Sequence, residues 1–205
     1  MAAVLPGGSR WHALFVCCVV GVLGMLRRSN LVLGALSLFG QEKHLTRADI
    51  TIDGAKYALR LRVHYSKTLQ YQSRVHDVWI QGDARPGAPL DPVRLWQGFV
   101  GAVPAPAHAP AFSYFDDAGA LRSLSFDALA AGIKHLVAAV GLDPASYSTH
   151  SLRRGGATWA FEHKVPTLLI KATGDWSSDA YEAYLTLGSG EKLQCTGAML
   201  RALSR

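Results

Sequence analysis

"THSLRRGGATWAFEH", residues 149–163, is the stretch on which the reading of this chain turns. Residues three apart on a helix share a face, so a helix here presents the imidazole of His150 and the guanidinium of Arg153 to one object. An imidazole beside a permanent cation points to an anion. Arg154 is turned about 100° from Arg153 and is expected to meet something else, either a neighbouring anionic group or an acid within the protein. Gly155 and Gly156 stand where alanine would make a better helix, which predicts another backbone pressed close.

The rest of the chain supports a folded domain with an anionic partner. It has 205 residues, 49% apolar and 18% charged, a globular composition with material for a sizeable core. Lysine and arginine number 21 against 15 acids, for a net charge of +6 and a pI near 9.4. That balance favours a polyanion such as nucleic acid, or an anionic membrane. The excess lies in the first 80 residues, which carry ten basic side chains and four acidic ones. Of three cysteines two are adjacent, Cys17 and Cys18, and the third is Cys195, which argues against a disulfide framework. The eight histidines are scattered with no zinc-ligand spacing. A reducing compartment and a protein without metal or cofactor are expected.

"WHALFVCCVVGVLGMLRR", residues 11–28, admits two readings. Its uncharged part, Trp11 to Leu26, is shorter than the roughly 20 residues a spanning helix needs, and no small-x-small cleavage pattern closes it, so a buried core helix is favoured over a signal peptide or membrane anchor. A short strand is expected at Ile50–Ile52. Leu59, Leu61, Val63 and Tyr65 then alternate with Arg60, Arg62 and His64, which predicts a half-buried strand, a polar turn over Lys67–Ser73 and a returning strand from Arg74 to Ile80. The hairpin should carry a basic outer face. Asp91-Pro92 is a helix start, with a helix over Val93–Val100. "GAVPAPAHAPAF" reads as an extended connector inside one domain. Ser125–Val140 is the clearest amphipathic helix, with Leu129, Ile133, Leu136, Val137 and Val140 on its apolar side and Gly141 to end it. Helices follow over His150–His163, Pro166–Thr173 and Ser177–Leu187, with a last apolar stretch at Ala198–Leu203.

Taken together, "GMLRRSNLV", "YSKT", "THSLRRGGAT" and "GDWSSDAYEAYL" resemble, in this order, the boxes of the tyrosine recombinase (phage integrase) family's C-terminal catalytic domain, most of all the versions in eukaryotic Crypton and DIRS-type mobile elements. The resemblance runs from about Trp11 to Leu187. It implies an α+β fold, a mostly helical DNA breaking-rejoining core with a small antiparallel β-sheet or hairpin. It also implies roles: Arg27 as the first catalytic arginine, Lys67 as the lysine of the hairpin, His150 and Arg153 as the His-x-x-Arg box, Trp176 as the donor of the last box, and Tyr184 as the nucleophile. Tyr181 competes with Tyr184, three residues away on the same helical face, and the family spacing favours Tyr184. Arg28, Arg60, Arg62, Arg74 and Arg154 are candidate DNA contacts that position the duplex without reading its sequence.

The chemistry explains these residue types. A phenol oxygen attacks the scissile phosphate, leaving a covalent 3′-phosphotyrosine and a free 5′-hydroxyl that later rejoins a strand. Two guanidiniums meet the charge growing on the nonbridging oxygens, and the lysine supplies the proton of the leaving group. No metal, nucleotide or other cofactor enters. The sequence departs from the family in two places: Asn30 stands where an acidic residue is common, and Asp175 stands where a histidine or tryptophan follows the glycine, with Trp176 one position later.

The resemblance further implies duplex DNA as partner, self-association on DNA as a tetramer, no membrane, and a nuclear location in a eukaryote or the cytoplasm and nucleoid otherwise. Residues 1–10 are expected to be disordered, 11–190 to form the catalytic domain, and 191–205 to be a C-terminal helix or tail that docks on a neighbour. The family's N-terminal DNA-clamping domain has no counterpart in the sequence. Three other readings use the same residues: a type IB topoisomerase, which has a similar active site; an inactive DNA-binding remnant of a mobile element; and a membrane-anchored protein of unrelated function, which depends on the run from Trp11 to Leu26.

Overall fold

The computed structural model describes residues 7–34, 39–40, 43–64, 75–88, 90–176, 178–179 and 182. At the centre lies α1 (Arg10–Leu23), capped by Ser9, whose hydroxyl accepts from the His12 amide at 3.2 Å. Its residues Ala13, Leu14, Val16, Cys17 and Val20 are buried because other elements cover it on several sides. An all-round apolar helix needs such surroundings, and this is the buried core helix of the sequence reading. Among the described residues no helix is long and apolar enough to cross a membrane. The helix ends earlier than the apolar run suggests, because Gly24 caps it and Met25 turns into the left-handed region at φ 49°.

A three-stranded antiparallel sheet, β1 (Ile50–Asp53), β2 (Ala58–Val63) and β3 (His76–Gln81), pairs in the order β1-β2-β3. Its register sets Ile50 opposite Leu61, and Leu61 opposite Val78. Leu59, Leu61 and Val63 are buried as the alternation predicts. The other face is not simply basic. Arg60 pairs with Asp77 at 2.6 Å, Lys56 lies 4.7 Å from the centre of the Trp79 ring, and Arg62 is exposed.

The helix α3 (Pro92–Ala102) starts where Asp91-Pro92 predicts, with the Asp91 carboxylate accepting from the Val93 amide at 3.0 Å. The connector that follows is more than a spacer. Val103, Ala109, Ala111 and Phe112 are buried in it, and its backbone bonds to the segment before β1, Arg47 N–H to Ala109 O at 2.9 Å and Ala111 N–H to Leu45 O at 3.0 Å. Irregular backbone is tolerated in a core when its amides find partners. A second hairpin, β4 (Ser113–Phe115) and β5 (Leu121–Ser123), comes next. Its strands are three residues long, too short to show a period of two in the sequence.

The helix α4 (Phe126–Ala139) is capped by Ser125 and buries Leu129 and Ile133. Leu136 and Val140, expected on the same apolar side, are exposed, Val140 at 72%. The core takes Leu129 and Ile133 fully and Val137 in part, and does not extend to the positions flanking Val137. A single turn of helix, α2 (Arg28–Leu31), follows α1, and after α4 a 3-10 turn at Pro144–Ser146 leads into α5 (His150–Glu162) and α6 (Thr167–Thr173). The helices expected over Ser177–Leu187 and Ala198–Leu203 fall outside the described residues except at 178–179 and 182. The architecture is α+β, helices around a small antiparallel sheet.

Candidate active site

Two glycines bring α1 and α5 together. A methyl on Gly156 would overlap the carbonyl oxygen of Val22, and one on Gly21 would lie 2.8 Å from Leu31 and 3.0 Å from Leu152. Each helix thus uses a residue without a side chain where the other presses in. Gly155, by contrast, has nothing within 4 Å of where its Cβ would be. Of the doublet, only Gly156 has the close-packing role that the sequence suggested for both.

This packing sets the turn after α1 against α5. Met25, left-handed and buried, packs with Ala157 and Ile170 in a small second core. Its carbonyl accepts from Arg153 Nη1 at 2.6 Å, across 128 residues of sequence. Arg153 is 3% exposed, and its guanidinium carbon lies 3.7 Å from the centre of the Trp176 ring. On the other side of the turn Arg27 opens α2, and its backbone amide donates to Oδ1 of buried Asn30 at 3.1 Å. Asn30 therefore supports the Arg27 backbone with its amide oxygen where the resemblance led one to expect an acid.

His150 is the first residue of α5. The Ser148 hydroxyl accepts from the His150 amide at 3.2 Å, and the Ser151 hydroxyl accepts from the Ser148 amide at 3.0 Å, which closes the entry into the helix. Burial holds the His150 imidazole below its usual 6.5, and the charges of Arg153, Arg154 and Arg27 lower it further. Arg27 from the turn after α1 and Arg153 from α5 therefore act on one imidazole. They line one cleft of about 580 Å³ with Arg28, Ser29, Phe126, Thr149 and His150. Among its described lining residues there are three guanidiniums and no carboxylate.

The turn of about 100° that separates adjacent residues on a helix does not part Arg27 from Arg28, because Arg27 is the cap and not a helical residue; both side chains reach the cleft, with Arg28 4.8 Å from the centre of the Phe126 ring. That turn does part Arg153 from Arg154, which lines a separate groove with Tyr147, Gly155, Trp159 and Glu162.

The remaining candidates divide. Arg60 and Arg62 sit on the outer face of the sheet, away from the cleft lining, and Arg60 is tied to Asp77. Lys67, Arg74, Tyr181 and Tyr184 lie outside the described residues. The strand leading out of residues 65–74 is anchored near the site, since His76 Nε2 donates to the Thr173 carbonyl at 3.3 Å, three residues before Trp176. Among the described residues no group of three His, Cys, Asp or Glu could hold a metal ion. The sequence reading missed Met25 and Gly21, and it noted Asn30 only as a departure from the family pattern. Only Gly21, a small residue inside an apolar helix, leaves a trace that a reader could have used.

The chain has the fold of solved recombinases. XerH, bound to its difH substrate in a pre-cleavage complex, matches 90% of this chain with a TM-score of 0.60 at 11% identity, and the match spans 46% of the XerH chain. The XerH post-cleavage complex with palindromic difH matches 95% of this chain with a TM-score of 0.61, again at 11% identity, over 47% of that chain. FLP recombinase in a Holliday-junction complex matches 87% of this chain with a TM-score of 0.52 at 13% identity, over 42% of that chain. The chain thus spans less than half the length of these solved proteins. No family model and no curated sequence relative matches it.

Proposed function

We propose that this chain is the catalytic part of a tyrosine recombinase, which cuts and rejoins duplex DNA through a 3′-phosphotyrosine on Tyr184. The observation that carries this is the convergence of Arg27, His150 and Arg153 on one cleft with no carboxylate among its described lining residues, in the fold of DNA-bound recombinases. Arg27 and Arg153 would hold the nonbridging oxygens of the scissile phosphate in fork geometry. Arg28 would take the same or the next phosphate. His150, kept neutral near pH 7, would accept the phenolic proton as the Tyr184 oxygen bonds to phosphorus. The bond from phosphorus to the 5′-oxygen breaks, and Lys67 would protonate that oxygen. Rejoining is the reverse with a second 5′-hydroxyl, so the phosphoester energy stays in the protein linkage and no cofactor is consumed. The Crypton and DIRS likeness of the motifs, pairing of active sites in a tetramer, docking of residues 191–205 on a neighbour, and a nuclear location in a eukaryotic host belong to this proposal.

The test is incubation with a pool of nicked duplexes, randomised in sequence around the nick, followed by denaturing electrophoresis of wild type and Tyr184→Phe. A protein–DNA band that survives denaturation in wild type and vanishes in the variant is expected. A band that persists in Tyr184→Phe moves the nucleophile elsewhere, with Tyr181 the next candidate. No band beside salt-sensitive retention of DNA would leave a DNA-binding remnant, and relaxation of supercoiled plasmid without site preference would favour a topoisomerase.

His150 also makes stability depend on pH. Its folded value lies below the 6.5 of the unfolded chain, so as pH falls the unfolded state takes the proton first. The contribution is present above 6.5 and is lost as pH drops below it toward the folded value. Urea midpoints of wild type and His150→Gln, measured from neutral pH downward, should differ increasingly below 6.5, with the wild type falling faster. Parallel curves would show that neither burial nor the arginines lower the imidazole in the folded chain.

A further inference from the structure

We infer that Trp176 is a positioning residue for Arg153, and that the face of its ring, not its indole N–H, is what the cleft requires. The sequence suggested a different role, that of a phosphate donor one position late in its box. The backbone shows what the extra position does. Asp175 is left-handed at φ 52°, and the turn is closed by Asp175 N–H to Ala172 O at 3.2 Å and Trp176 N–H to Lys171 O at 3.1 Å. This turn lays the indole back over Gly174, where any Cβ would overlap the six-membered ring. The ring then covers the Arg153 guanidinium at 3.7 Å, while Met25 O takes Nη1 at 2.6 Å. Arg153 thereby has a ring over its face and a carbonyl on Nη1.

A stack of this kind suits an anion site. Cation–π attraction uses the face of the guanidinium plane, whereas a phosphate is bound through N–H groups in the plane, so the two do not compete. The indole also keeps water from that face, which strengthens the charge toward an anion. A histidine at this place would supply a donor but only a small ring to stack on. Trp176 and the strained turn before it would therefore serve the cleft without touching the phosphate.

The consequence for DNA rests on the function proposed above, and the test separates the two. Trp176→Phe keeps a ring face and loses the N–H, Trp176→His keeps an N–H and loses most of the face, and Trp176→Ala loses both. The first readout uses protein without DNA: hydrogen exchange of the Arg153 Nε–H by NMR, assigned with Arg153→Lys. Slow exchange in wild type and Phe, and exchange faster by about tenfold or more in His and Ala, is expected. The second is affinity for a fluorescent duplex by anisotropy, alone and with Arg153→Ala. Ala and His should bind about tenfold to a hundredfold more weakly than wild type and Phe, and the difference should disappear once Arg153 is absent. Rescue by His and not by Phe, or additive losses in the double variant, would overturn the inference and return Trp176 to direct phosphate contact. If wild type binds no duplex, the proposed function falls, and the exchange data still decide whether the indole positions Arg153.

Discussion

Arg153→Ala is expected to lower covalent adduct formation by about a hundredfold to a thousandfold, the usual cost of losing one preorganised donor at a developing negative charge. The size of the effect follows from where this guanidinium sits. Arg153 is nearly fully buried, fixed to Met25 O and covered by Trp176, so it cannot be replaced by water or by a neighbour swinging in. The same substitution should cost stability, about 1–3 kcal/mol, because the Met25 carbonyl is left without its charged donor. Arg153→Lys retains a charge but loses the planar fork and the flat stacking surface, so it should recover part of the stability and little of the activity. Adduct yield on nicked duplexes and urea midpoints, taken on the same preparations, separate the two losses. An Arg153→Ala protein that forms adduct at the wild-type rate would remove the cleft from the chemistry.

Gly156→Ala should be the most damaging of the small substitutions, costing about 1–3 kcal/mol by overpacking, while Gly155→Ala next to it should be neutral or stabilise by up to about 1 kcal/mol through helix propensity. The contrast is what makes the pair informative. At Gly156 the obstacle is the Val22 carbonyl oxygen, a backbone atom of α1 that cannot rotate away, with a Met25 side-chain carbon 3.2 Å from the same point. The helices must separate to admit a methyl. Separation would carry Met25 away from Arg153 and Arg27 away from His150, so Gly156→Ala should lose DNA affinity as well as stability. At Gly155 the direction is open and nothing has to move. Thermal unfolding of the two variants, with duplex binding by anisotropy, reads both effects. Equal midpoints for the two would mean that α1 and α5 do not meet at Gly156.

Much of this organisation was legible along the chain. The His150-to-Arg153 interval placed both side chains on one face because helical pitch is local, and Asp91-Pro92 announced α3 because capping involves only neighbouring residues. Leu59, Leu61 and Val63 showed their burial through a period of two. The burial of the connector within residues 101–112 was not legible because alanine and proline carry no periodicity, and its backbone bonds go to Leu45 and Arg47 more than fifty residues away. Leu136 and Val140 were misjudged because the core on that side of α4 reaches half-buried Val137 and not the positions flanking it.

The sequence by itself determined the secondary elements with strong periodicity, the positive balance of the first 80 residues, and the identity of the arginines and histidine that an anion would need. Each of these depends on local backbone geometry or on simple charge. Only the tertiary structure decided that Arg27, Arg28, His150 and Arg153 share a cleft, that Gly156 and not Gly155 lets α1 and α5 close, that Met25 supplies an acceptor, and that the Trp176 ring covers Arg153. Those outcomes depend on which backbone passes within a few ångströms of which, and no spacing within a single segment encodes that distance.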